Sequence, residues 1–337
     1  MPDATTLSPP PQPPSAPPFM SFTREQWAML RASTPLPLGE EELRQLRGLN
    51  EPISVEEVAD VFLPLSRLVN LYVTAARGLL QVTDTFLGRP SLSPPFVVAI
   101  AGSVAAGKST IARVLRALLA RWPDHPRVEL VTTDGFLFPN AVLDARGLMR
   151  RKGFPESYDV GRLLRFLADV KGGRAEVIAP VYSHLTYDVV ADERVVVQRP
   201  DVLIVEGINV LQPPSASSAG AQPRAVVSDF FDFSIYVDAD EASLRRWYVE
   251  RFLKLRDTAF RRPESYFHRY ATLTEAEAVA TAERIWDEIN YVNLKQNIEG
   301  TRDRATLVLR KGANHLVEEV RLRRAPVPVA PAAVRRD

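Results

Sequence analysis

Gly102-Ser103-Val104-Ala105-Ala106-Gly107-Lys108-Ser109-Thr110 sets two glycines with four residues between them, then a lysine and two hydroxyl residues. That is the phosphate-binding loop pattern. Backbone N–H groups of such a loop converge on the β- and γ-phosphates of a nucleotide, and glycine is needed where a Cβ would block the approach. Lys108 adds a point positive charge, and Ser109 an oxygen for Mg²⁺. Both flanks agree with this reading. Phe96 to Ala101 is a continuous apolar run, as expected of a parallel strand buried on both faces. After the loop, Ile111, Val114, Leu115, Leu118 and Leu119 recur at helical spacing, so the loop ends on a helix N-terminus whose dipole favours an anion.

The chain has 337 residues, 46% of them hydrophobic, enough for a substantial core. No unbroken apolar run reaches the length of a membrane span, and no signal pattern opens the sequence. A soluble, unexported, cytoplasmic protein is expected. The absence of cysteine excludes disulfides, thiolate chemistry and Cys-ligated zinc. A formal charge of +1 gives no net field to steer the chain to nucleic acid or anionic lipid. Residues 1–21 are proline-rich and weakly apolar, as is 325–337, and both are expected to be disordered tails. Residues 22–324 are expected to form a single domain. Its helical N-terminal part is 22–90, and its nucleotide and substrate core is 91–324.

Within the first part, Thr23 and Gln26 form a capping-box pattern that opens a short helix with Trp27 and Leu30 on one face. Ser54 and Glu57 repeat the pattern before a long helix with Leu65, Leu68, Val69 and Tyr72 in one stripe, running to about Thr83. Further strands are expected at 128–132, 202–206, 230–237, 306–309 and 317–322, alternating with helical segments. The fold class is therefore α/β, three layers, with a mainly parallel central sheet. Residues 213–225 are rich in Pro, Ser, Ala and Gly and suggest a surface insertion.

In open α/β sheets chemistry gathers at the carboxyl ends of the strands. Asp134 stands there after the second strand, either as a base or Mg²⁺ partner or as a turn cap. Glu206 closes the third strand, either as a Mg²⁺-side acid or as an ordinary strand end. His184 lies in a run of rings and hydroxyls, as a substrate donor or a structural hydrogen bond. Arg150, Arg151 and Lys152 face an anion or are a solvated charge run. One of Arg245, Arg246, Arg251, Lys254 and Arg256 could reach the phosphates, though spacing does not say which. No Asn-Lys-x-Asp guanine signature occurs, and Val205-Glu206-Gly207 is not the Asp-Glu ending of motor ATPases. A phosphotransferase fits better than a switch or a motor.

Gly102 to Thr110, Thr133-Asp134-Gly135-Phe136, Lys152 to Tyr158, Pro180-Val181-Tyr182-Ser183-His184 and Glu206 to Leu211 together resemble the bacterial type I pantothenate kinases. The resemblance runs from about Phe22 to Arg324. It implies ATP-dependent phosphorylation of pantothenate to 4'-phosphopantothenate, the first step towards coenzyme A. It implies that Asp134 is the base, that Lys108 and Arg251 stabilise the transferring group, and that Ser109 and Glu206 stand beside Mg²⁺. Tyr182, His184, Tyr248 and Asn290 would hold pantothenate, with Asn50 and His315 near the adenine of ATP. The resemblance also implies a homodimer inhibited by coenzyme A at Lys108, Arg113 and His184. Leu255 stands where some relatives carry an aromatic, which implies weaker inhibition. A uridine kinase or phosphoribulokinase shares the loop and carboxylates; a non-catalytic regulator would lack one of them.

Overall fold

The computed structural model describes residues 19–48, 53–88, 94–213 and 225–324. Asn50, most of the 213–225 stretch, residues 1–18 and residues 325–337 lie outside them. The strands are β1 (Phe19–Thr23), β2 (Phe96–Gly102), β3 (Val128–Thr132), β4 (Val177–Ser183), β5 (Asp188–Val197), β6 (Val202–Glu206), β7 (Phe233–Ala239), β8 (Leu307–Lys311) and β9 (Val317–Arg323). Seven of them form one sheet in the order β1-β9-β8-β7-β2-β6-β3, while β4 and β5 pair separately. From β8 through β3 every pairing is parallel; β9 is antiparallel to β8, and β1 to β9. The sheet is thus mainly parallel, flanked by helices.

All residues of β2 and β6 are buried, which is why they read as unbroken apolar runs. The helix Lys108–Leu119 turns Ile111, Val114, Leu115, Leu118 and Leu119 onto that sheet. Burying one such side chain stabilises the fold by about 1.5–3 kcal/mol.

Several boundaries differ from the sequence reading. Phe19 to Ser21 belong to an edge strand, not to a tail, because the partner that orders them, β9, lies at the far end of the chain. The Thr23–Gln26 capping box forms as expected, and Trp27 is buried, but Leu30 is exposed at 43% because a 3₁₀ turn at Met29–Arg31 rotates it off the helix face. Ser54 caps the Glu57 N–H, but the Glu57 carboxylate accepts from the Val317 N–H instead of reaching back to its own cap. The strand expected at 230–237 is β7 and starts at Phe233, since Val227–Phe230 is a 3₁₀ turn.

The long helix spans Val55–Leu87, past Thr83, and stops at Gly88 (φ +61°). A π-helical turn at Val58–Phe62 precedes Pro64, whose ring would otherwise press on the carbonyl four residues back. Leu65 and Val69 are buried, but the stripe emerges from the core at Tyr72, which keeps an edge-on contact with Phe233. By length and mean hydropathy (1.2 over its most apolar window) this is the one helix among the described residues that could cross a membrane, and half of that window is buried in the fold. Isolated polar residues such as Arg67 and Asn70 interrupt the run, so counting consecutive apolar residues passes over it.

Candidate active site

The loop after β2 has Gly102 (φ +139°), Ala105 (φ +64°) and Gly107 (φ +97°) in left-handed backbone. Such a sequence of turns aims successive N–H groups into one concavity. Ala105 adopts it without being glycine, a strained conformation of the kind that clusters at ligand sites. Lys108 Nζ donates to the Ser103 carbonyl at 2.8 Å and lies 3.8 Å from Glu206 Oε1. Lys311, the last residue of β8, donates to the Ala106 carbonyl at 3.2 Å and sits 5.5 Å from the Trp247 ring centroid. Sequence reading missed Lys311, since nothing local ties a strand-end lysine to a loop two hundred residues earlier.

Ser109 Oγ donates to Glu206 Oε2 at 3.1 Å. Glu206 is buried, and burial raises its pKa; nearby Lys108 pulls the other way, and Asp134 adds to the rise. A buried carboxylate beside a hydroxyl at the mouth of a phosphate loop is a hard-oxygen pair of the kind Mg²⁺ accepts when phosphates and waters complete its shell. No cluster of three or more His, Asp or Glu that would hold a metal alone occurs among the described residues.

Asp134 lies in the turn Thr133–Phe136 immediately after β3. Thr132 and Glu206 are register partners in the parallel β3–β6 pair, so both carboxylates sit at neighbouring strand ends. Gly207 makes this possible: a Cβ there would lie 1.8 Å from Thr133 Oγ1. Tyr158 donates its hydroxyl to Asp134 Oδ1 at 3.3 Å, and burial holds that phenol well above its usual pKa. Nothing local in the sequence ties Tyr158 to Asp134, 24 residues earlier.

Beside these carboxylates β4 and β5 form an antiparallel ribbon whose register shifts at Pro180, which has no N–H to give. Tyr182 and His184 meet edge-on at 5.2 Å. Burial lowers the His184 pKa; Asp134 raises it, while Arg251 and Lys152 lower it further. Neutral imidazole is therefore the form at pH 7. Burial raises Tyr182 and Tyr187 as well, and pushes Tyr248 up to about 12, against a hydrogen bond from Asn290.

The basic run 150–152 divides. Arg150 pairs with Glu288 and Arg151 with Glu156 on the surface. Lys152 turns inward to 7% exposure, donates to Asn140 Oδ1 at 2.6 Å and to the Tyr187 carbonyl, and lies 4.1 Å from the Tyr187 ring centroid and 5.0 Å from that of Tyr182. Burial pushes its pKa down to about 8, against Asp188, Asp134 and Asp144. Three adjacent charges look alike in sequence, and only the packing separates them.

One cleft of about 230 Å³ brings together Lys108, Ser109, Thr110, Arg113, His184, Arg251, Leu255 and His315. Arg251 is the basic residue of the helix Glu241–Asp257 that faces it; Arg245 pairs with Glu283 and Asp287, Arg246 with Glu250, and Arg256 with Asp257. Arg113 donates to the Leu46 carbonyl at 3.0 Å and to Thr110 Oγ1 at 3.1 Å. His315 (φ +68°) stacks on Trp247 with ring centroids 4.1 Å apart. Tyr182, Tyr248 and Asn290 lie outside the lining of this cleft, Tyr182 joined to it through His184.

A loop opening a helix at the carboxyl edge of a parallel sheet, with two carboxylates on adjacent strand ends, defines a P-loop kinase. Residues 97–259 match the model of the phosphoribulokinase / uridine kinase family. The fold is shared with a D-glycerate 3-kinase from Cryptococcus neoformans, 15% identical with a TM-score of 0.51, over 75% of this chain and 97% of that one. Much nearer in sequence are pantothenate kinases of Sorangium cellulosum (62% identical; 90% of this chain, 97% of that protein) and Parvibaculum lavamentivorans (59%; 91% and 94%). One from Escherichia coli is 58% identical over 91% of this chain and 97% of its own. The chain belongs to the pantothenate kinase family of bacteria, enzymes of the transferase class.

Proposed function

We propose that the protein transfers the γ-phosphoryl group of ATP to the primary hydroxyl of pantothenate, giving 4'-phosphopantothenate and ADP, the first step towards coenzyme A. The observation that carries this reading is the shared cleft of Lys108, Ser109 and Arg251 with His184, beside the paired strand-end carboxylates Asp134 and Glu206. The hydroxyl oxygen attacks the γ-phosphorus as the bond to the β-phosphate oxygen breaks, and Asp134 takes the hydroxyl proton. Phosphoryl transfer is mostly positioning and charge stabilisation, which Lys108 and Arg251 provide over the phosphate oxygens. Ser109 and Glu206 would hold Mg²⁺, which would supply positive charge against the phosphate negative charge.

Tyr182, His184, Tyr248 and Asn290 take the acceptor, because its hydroxyl, amide and carboxylate groups each need a partner once desolvated. Lys152 supplies a cation to that side. His315, on its Trp247 platform, packs near the adenine. A coupled ADP-release assay with MgATP and, separately, pantothenate, uridine and ribulose 5-phosphate tests the reading. Turnover with pantothenate alone is expected; turnover with either other acceptor, or with none, overturns it.

The same cleft supports feedback inhibition by coenzyme A in competition with ATP, through Lys108, Arg113 and His184. Leu255 lines it in place of a ring, so weak inhibition is expected. Inhibition curves at low ATP that stay flat would refute the inhibitory site.

A homodimer in the cytoplasm completes the reading, and the helix Val55–Leu87 offers its face. Tyr72, Ala75, Leu79, Val82 and Phe86 follow one another at alternating spacings of three and four, the seam of a helix pair. Leu79, Val82 and Phe86 are 70%, 66% and 86% exposed. Arg77 and Asp84 are the only charges from Leu71 to Leu87, and Arg77 is already bonded to Asp201 at 3.2 Å, so nothing repels a second copy. From Tyr72 to Phe86 the seam is about 21 Å long at 1.5 Å per residue. Light scattering should show a dimer that Leu79→Glu with Phe86→Glu converts to monomer. A dimer that survives, or a wild-type monomer that binds lipid vesicles, would overturn this assignment.

A further inference from the structure

The carbonyl of Gly153 accepts hydrogen bonds from two side-chain amides, Asn209 Nδ2 at 2.9 Å and Asn293 Nδ2 at 3.0 Å. Because a carbonyl only accepts, both amides must present nitrogen to it. Their oxygens are engaged in turn: Asn297 Nδ2 donates to Asn293 Oδ1 at 2.9 Å, and Gln212 Nε2 reaches Asn209 Oδ1 at 3.5 Å and the Asn297 carbonyl. Asn293 is 4% exposed, and Gly153 holds φ +95°, a bend that a side-chain-bearing residue resists.

Three segments therefore meet on one oxygen. The loop after β6 brings Asn209 and follows Glu206 directly. The helical segment 275–298, π-helical at Trp286–Asn290 and Leu294–Ile298, brings Asn293 and also carries Asn290. The bend itself carries Lys152. A single backbone carbonyl, doubly held, ties together the segments that carry Lys152 and Asn290.

We infer that Asn209 and Asn293 are positioning residues of the acceptor site: by clamping the Gly153 carbonyl they hold Lys152 and Asn290 in register with each other. This rests on the acceptor assignment made above. The phosphate loop is outside the clamp, so loosening it should act on one substrate and spare the other.

The test is steady-state kinetics of the full chain with MgATP and pantothenate. Asn293→Asp keeps the shape but sets an acceptor against the carbonyl; Asn209→Ala, at a less buried position, serves if the first variant fails to fold. Each should raise KM for pantothenate about tenfold while KM for ATP stays within about twofold. A second readout is the alkaline limb of kcat/KM for pantothenate. Lys152 is faced by Asp134 and Asp144, by Tyr182 of β4 and Asp188 of β5, and by His184 and Tyr187 of the turn between those strands. Released from that packing, its titration should move above about 8, towards the ordinary lysine value. A purely structural role would lower kcat and thermal stability without separating the substrates. Equal changes in both KM values, or an unmoved alkaline limb, would overturn the inference. Failure of wild-type protein to turn over pantothenate would instead overturn the acceptor assignment.

Discussion

Gly207→Ala is a small change with a computable consequence. The added Cβ would stand 1.8 Å from Thr133 Oγ1, 2.9 Å from Thr133 Cβ and 3.1 Å from Thr133 Cγ2. Ordinary contact needs about 3.5 Å, so the strand ends must part by roughly 1.5 Å or the threonine must rotate. Rotation does not suffice, because Cβ is itself too close and does not move with χ1. Separation displaces Glu206, immediately before Gly207, from Asp134, immediately after Thr133. A displacement of about 1 Å at such a site costs on the order of 10²-fold in rate, and overpacking costs about 1–3 kcal/mol in stability. The matching relief is Thr133→Ala, which removes Oγ1 and Cγ2; Oγ1 is buried without a hydrogen-bond partner, so that variant alone should be close to neutral. Pantothenate-dependent ADP release and thermal melts on the four proteins of the cycle measure the coupling. The double variant should recover much of the lost kcat. Full activity in Gly207→Ala, or no recovery in the double variant, would refute the steric argument.

Asp134→Asn should leave ATP binding within about twofold by equilibrium titration while kcat falls by roughly 10²-fold or more, since only the proton acceptor is lost. Near-normal turnover would remove Asp134 as the base. Lys108→Met and Arg251→Ala should each lower kcat by about 10²-fold or more in the same assay, with Arg245→Ala as an unaffected control. Lys152 predicts opposite pH trends in activity and stability. With its pKa depressed to about 8, the ammonium is lost above that pH and kcat/KM for pantothenate should fall. Between about 8 and the ordinary lysine value the unfolded chain binds the extra proton, so this group's contribution to stability rises with pH over that window. Lys152→Arg should abolish the alkaline limb within the accessible range, because guanidinium stays charged.

The sequence made legible what depends on local periodicity. β2 and β6 are buried on both faces and read as apolar runs, and the loop helix repeats every three to four residues. The strand-end placement of Asp134 and Glu206 followed from those elements. Features fixed by distant partners were hidden. β1 looks like the end of a proline-rich tail until β9 is beside it. The β4–β5 ribbon carries Pro180 and the run Asp192-Glu193-Arg194, which break the alternation of a half-buried strand. The inward turn of Lys152, alone among three neighbouring cations, depends on Asn140 and the Tyr187 carbonyl. The choice of Arg251 over Arg245 depends on Glu283 and Asp287, acids of a later helical segment that pair with Arg245.

The pairing of β1 with β9 also bears on how the molecule is made. β1 has β9, about three hundred residues later, as its sole neighbour in the sheet among the described residues. At about 5–20 residues per second, Phe19–Thr23 waits on the order of tens of seconds for Val317–Arg323. Contacts of such sequence separation form late and slow the final approach to the native state. The strands β2, β3, β6 and β7 and the phosphate loop can assemble before Val317–Arg323 is made, but the sheet closes at its β1 edge only once that strand has emerged.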